Sequence, residues 1–102
     1  MFKIVLLCSA GMSTSMLVSK MRKEVEATGQ EVEINAYPEA QISKVVDDVD
    51  VALLGPQVKF ALQKVKMVCD PKGVPVEVIN AADYGLLNAK KVLAQAFKMA
   101  GK

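Results

Sequence analysis

The 102-residue sequence predicts an α/β fold: a single doubly wound sheet of four parallel strands in the order 2-1-3-4, with helices on both faces. Three observations carry this. Strand-like and helix-like segments alternate four times, a βαβαβαβα series joined by right-handed crossovers. Strands 1 and 3 end in near-continuous apolar runs, as strands covered on both faces require, whereas strands 2 and 4 hold interior glutamates, Glu33 and Glu77, which suits sheet edges. No repeat, low-complexity stretch or linker interrupts the pattern, so residues 1–102 read as one domain.

The elements follow in order. FKIVLL (2–7) is the first strand. Residues 13–28 carry Leu17, Met21 and Val25 at a helical spacing of four, and Gly29 is placed to stop that helix. EVEINAY (31–37) alternates apolar and polar residues as a half-covered strand does, and Pro38 opens a short helix over 38–48. VDVALL (49–54) is the third strand, broken by GPQ (55–57). Val58, Leu62, Val65 and Val68 then form one stripe of a helix over 58–69. DPKG (70–73) is a turn, VPVEVI (74–79) the last strand, and 81–100 a loop with a closing helix. In this strand order the switch point lies between strands 1 and 3. Ligands of such sheets bind in the crevice outside the strands' carboxyl ends, here faced by loops 8–14 and 55–57.

Composition narrows the function. A net charge of +2, lysines that alternate with glutamates, and five aromatic residues do not make a nucleic-acid surface. No apolar run approaches the roughly 20 residues that span a bilayer. The basic-then-apolar start MFKIVLLCSAG is too short for a signal peptide, and its removal would delete the first core strand. Two cysteines make no disulfide framework, so the protein is expected to be cytoplasmic with its thiols reduced. The chain contains no histidine, which excludes an internal Cys–His pair, a phosphohistidine of its own and most catalytic zinc sites.

The chemistry gathers at Cys8. A cysteine ending a strand, a loop of small residues and a helix start together suggest an anion site. Backbone N–H groups from Ser9 to Ser15 can point inward, Gly11 can take a positive φ, and the helix dipole adds partial positive charge. The same field favours a thiolate, and a thiolate beside a nest for three oxygens is poised to attack phosphorus. Cys8 also reads as a small buried hydrophobe ending its strand, and Ser13, Thr14 and Ser15 as ordinary helix caps. Nucleotide loops do not fit, because Gly11 is the loop's only glycine and no P-loop lysine follows; C-x-x-C is absent too.

The sharpest competing reading is a cysteine phosphatase. The loop resembles the C-x5-R motif of low-molecular-weight protein tyrosine phosphatases, but Thr14 stands where that motif places arginine. The bidentate guanidinium that grips a transferring phosphoryl group is therefore missing. Asp83, after strand 4, is the candidate general acid, but a loop aspartate is more often a cap or turn residue. A third reading is a non-enzymatic, anion-binding docking module.

Taken together, CSAGMSTSMLVSKM (8–21), DVALLGPQV (50–58) and PVEVINAADYG (75–85) resemble, across essentially the whole chain, the IIB components of the phosphoenolpyruvate-dependent sugar phosphotransferase system, lactose/cellobiose (chitobiose) class. The resemblance implies a phosphoryl carrier. A IIA protein passes the group from its phosphohistidine to Cys8, and the phosphocysteine donates it to a β-linked disaccharide held by membrane-embedded IIC. It further implies that amides of Ser9, Ala10, Gly11, Met12, Ser13 and Thr14 cradle the phosphoryl oxygens, with the Ser13 and Thr14 hydroxyls and Ser15 as further donors. Met12 becomes an adaptable apolar contact for two partners, or else a core residue. Gly55, Pro56 and Gln57 form the opposite wall of the crevice, or simply a tight turn. Tyr84 either approaches the loop or is an ordinary surface tyrosine. Cys69 is structural. No metal or organic cofactor is implied, and the carrier is expected to be a monomer when isolated, visiting the inner face of the membrane only through IIC.

Overall fold

A computed structural model describes residues 1–9 and 12–101, with the side chains of residues 12 and 13 outside the description. The sheet runs β2 (Val32–Pro38), β1 (Phe2–Cys8), β3 (Val51–Leu54), β4 (Val76–Val78). All three pairings are parallel, with Phe2 opposite Val32, Ile4 opposite Val51 and Ala52 opposite Val76. The sequence-based order 2-1-3-4 is therefore the observed one, and the glutamates mark its edges: Glu33 and Glu77 are exposed on β2 and β4.

Side-chain alternation along β1 builds two cores. Ile4 and Leu6 face one side with Ile34, Val51 and Leu53, against α1 (Met12–Thr28) and the C-terminal helix α5 (Ala89–Met99). Val5 and Leu7 face the other with Ala52 and Leu54, against α2 (Ile42–Val45) and α3 (Leu62–Cys69). Leu17, Met21 and Val25 are the buried stripe of α1, as their spacing predicts. Fully burying side chains of this size stabilises a fold by about 1.5–3 kcal/mol each, so central β1 and β3 supply much of the driving force. Helix α1 stops where the sequence indicates. Gly29 takes φ +71°, its N–H donates to Glu26 O and that of Gln30 to Val25 O, the paired bonds of a Schellman stop. Arg22 then ties α1 to the edge strand β2, its guanidinium donating to Ile34 O at 2.6 and 2.9 Å and to Asn35 Oδ1 at 3.0 Å.

Three segments differ from the sequence-based expectation. The helix expected over 38–48 is a single α turn, α2, flanked by 3-10 turns at Glu39–Gln41 and Val46–Asp48. Pro38 ends β2 instead of opening a helix, and across these short turns Ile42 and Val46 are both buried. Residues 56–61 are 3-10, kinked at Val58 (φ −118°, ψ 24°), and only then does α3 begin. The kink rotates the buried stripe to Val58, Ala61, Val65 and Cys69, leaving Leu62 and Val68 half-buried. The closing segment is two helices, α4 (Ala81–Gly85) and α5. Each has its own asparagine cap: Asn80 Oδ1 accepts from the N–H groups of Ala82 and Asp83, and Asn88 Oδ1 from that of Lys91.

Candidate functional site

Cys8 is the last residue of β1, opposite Pro38 of β2. It is 3% exposed, and its Sγ lies 3.9 Å from the carbonyl oxygen of Tyr37, a long contact to which the thiol is a weak donor. The next strand of the crevice is tied in at the same level, since the N–H of Gly55 donates to Leu7 O at 2.8 Å. Helix α1 begins at Met12, four positions past the cysteine, and runs for 17 residues. Its first turn carries no acidic side chain. No acidic side chain of that turn therefore offsets the positive end of the dipole.

Ser9 and Ser15 are exposed. Ala10 and Gly11, with the side chains of Met12 and Ser13, lie outside the described residues. Thr14 does not face solvent: it is 1% exposed, and its hydroxyl lies 2.8 Å from the phenol oxygen of Tyr84. The same phenol accepts from Gln57 Nε2 at 3.1 Å. One tyrosine thus links the first turn of α1, the loop after β3 and the helix after β4. Its half-buried ring packs against the core under α1 and α5, and the cap at Asn80 fixes the helix that carries it. Directly after α4, Leu87 is held at φ +53°, a left-handed conformation that a bulky residue adopts only when its surroundings impose it.

Gly55 belongs to this arrangement through its missing side chain. Its backbone (φ −61°, ψ 144°) suits any residue, but a Cβ there would lie 2.5 Å from Gln57 Oε1. The Gln57 amide folds back over the glycine to reach Tyr84. Gly55→Ala is expected to keep the fold within about 1 kcal/mol, because a flexible side-chain end can swing away. The Gln57 side-chain amide resonance should then move to its solvent-exposed position in an NMR spectrum.

Asp83 is in a different place. It is half-buried in an open groove with Glu77, Gln95 and Lys98 beside β4, and its backbone N–H and carbonyl serve the caps and turn around α4. This is the arrangement of a turn residue. Among the described residues no three Cys, Asp or Glu side chains gather as a metal would need, and no helix is long and apolar enough to cross a membrane.

Cys69 is fully buried in the core under α3. Burial, with a smaller contribution from the Asp70 carboxylate, pushes its thiol from an ordinary 9.0 up to about 11. The folded state therefore holds this proton where the unfolded chain releases it. Stability is expected to fall as pH rises from 9 to about 11, a decline that Cys69→Ala lacks; urea unfolding across that range measures it.

The family model for the lactose/cellobiose-specific IIB subunit of the PTS system matches residues 3–95. The galactose-specific EIIB component of Lactococcus lactis subsp. cremoris is 45% identical over 98 residues, covering 91% of both chains. The oligo-beta-mannoside-specific EIIB component of Bacillus subtilis is 37% identical over 99 residues, 97% of this chain and 96% of that one. Among solved structures, the cellobiose-specific IIB component from Borrelia burgdorferi superimposes with a TM-score of 0.83 at 42% identity, covering 98% of this chain and 92% of that one. The lactose-specific IIB domain from Streptococcus pneumoniae gives 0.86 over 96% of both chains; at 18% identity it shares the fold.

Proposed function

The chain belongs to the lactose/cellobiose-specific IIB subunits of the sugar phosphotransferase system, and from that premise we propose that Cys8 is its phosphoryl-carrying residue. The observation that carries this is the position of Cys8. It ends a central strand at the switch point, with a 17-residue helix starting four positions later and no acidic side chain in that helix's first turn. In the first step the thiolate attacks phosphorus of a phosphohistidine on a IIA protein; the P–N bond breaks, the P–S bond forms, and the imidazole leaves. In the second, a hydroxyl of a β-linked disaccharide presented by membrane-embedded IIC attacks the same phosphorus. The P–S bond breaks, the thiolate returns, and the hydroxyl proton leaves to solvent or a base. Backbone N–H groups from Ser9 to Thr14 stabilise charge on the three equatorial oxygens in both steps.

Holding the group without losing it to water fits the buried threonine at position 14. A carrier gains nothing from a guanidinium that speeds hydrolysis. Selectivity for the sugar belongs to the acceptor partner, in keeping with relatives of comparable similarity that are named for galactose and for oligo-β-mannosides. The carrier works as a monomer on the cytoplasmic side and meets each partner through a small, transient interface.

Incubation with phosphorylated IIA, followed by intact mass, is expected to show one added phosphoryl group. Adding membranes that carry IIC and the disaccharide should discharge it as sugar phosphate. Absence of an adduct on the wild-type chain, or steady hydrolysis of p-nitrophenyl phosphate, would contradict the reading.

A further inference from the structure

We infer that Tyr84 is a positioning residue for the phosphoryl-carrying loop, holding the first turn of α1 through Thr14 and braced against the opposite wall by Gln57. The inference rests on Cys8 being the carrier. Thr14 lies 70 positions from Tyr84 and Gln57 lies 27 from it, yet one phenol oxygen meets both, at 2.8 and 3.1 Å. Thr14 is 1% exposed, so its hydroxyl has no solvent to turn to if the phenol is removed. The strut has a firm base, because the tyrosine ring packs on the core, Asn80 caps its helix, and the left-handed Leu87 closes that helix with its N–H donating to Tyr84 O at 3.1 Å.

What the strut fixes is the helix turn whose amides meet the phosphoryl oxygens. Small errors in such donors reduce charge stabilisation in the transition state far more than they alter encounter with a partner. The Thr14 hydroxyl is therefore a structural link to Tyr84, and through that link Tyr84 acts on the reaction.

The test is the transfer of phosphoryl from phosphorylated IIA to Cys8, timed in wild type, Tyr84→Phe, Thr14→Val, Thr14→Ser and the Tyr84→Phe/Thr14→Val pair. Tyr84→Phe and Thr14→Val are each expected to lower kcat by about 10- to 100-fold while KM for IIA stays within about twofold. Thr14→Ser, which keeps the hydroxyl, should restore most of the rate. The double variant should be no slower than the slower single one, because both changes break the same link. A wild-type rate in Tyr84→Phe, a loss carried by KM, or losses that multiply in the pair would each overturn the inference, the last by marking Tyr84 and Thr14 as independent phosphate ligands. If the wild-type chain takes up no phosphoryl group, the carrier reading fails and this inference with it. Normal labelling of wild type with an unimpaired Tyr84→Phe defeats the inference alone.

Discussion

Cys8→Ser is expected to lower sugar phosphate formation by about 10^4-fold or more, with stability within about 1 kcal/mol of wild type. The serine hydroxyl stays protonated at neutral pH and is a poor nucleophile toward a phosphohistidine. Any oxygen ester that did form would be a poor donor, because an alkoxide leaves less readily than a thiolate. The structural cost is small, since the thiol makes one long contact to Tyr37 O and fills little volume at the end of β1. A sugar phosphate assay with IIA and IIC supplied reads the activity, and thermal unfolding reads the stability. Full activity in the serine variant would move the chemistry elsewhere.

Thr14→Arg, which completes the phosphatase motif C-x5-R on paper, is expected to destabilise the fold by about 2–4 kcal/mol and to produce no phosphatase. The sequence suggests that one substitution separates carrier from phosphatase, but the geometry does not. Thr14 points into the protein, 1% exposed, and its hydroxyl is committed to Tyr84. A guanidinium placed there must displace the phenol and either be buried without a carboxylate or force the first turn of α1 outward. Urea unfolding and p-nitrophenyl phosphate turnover decide the matter together. A stable variant with steady turnover would show that the loop accepts arginine.

The sheet was legible in the sequence because its signals are local. Apolar runs at the ends of strands 1 and 3, glutamates in strands 2 and 4, the Leu17–Met21–Val25 stripe and the stop at Gly29 each depend on neighbours a few residues apart. The elements misread depend on less regular local geometry. Helix α3 starts late because Gly55 and Pro56 lead into a 3-10 segment that kinks at Val58. Residues 81–100 divide into two helices at Leu87, a residue that gives no turn signal, although the capping asparagines at 80 and 88 stand in the sequence. In the site, Cys8 and the start of α1 could be read because they are adjacent. Tyr84 could not be placed with Thr14 and Gln57, because parallel crossovers bring those loops together at one end of the sheet and leave no spacing to find.

The phosphoryl group itself offers the most direct measurement. After exchange with phosphorylated IIA, tandem mass spectrometry of the digested chain, with phosphorus NMR of the intact one, locates the label. The expected result is a single phosphorus–sulfur linkage on the peptide holding Cys8, absent from Cys8→Ser. A label on an oxygen of Ser9, Ser13, Thr14 or Ser15, or on Cys69, would contradict a thiol relay at the end of β1.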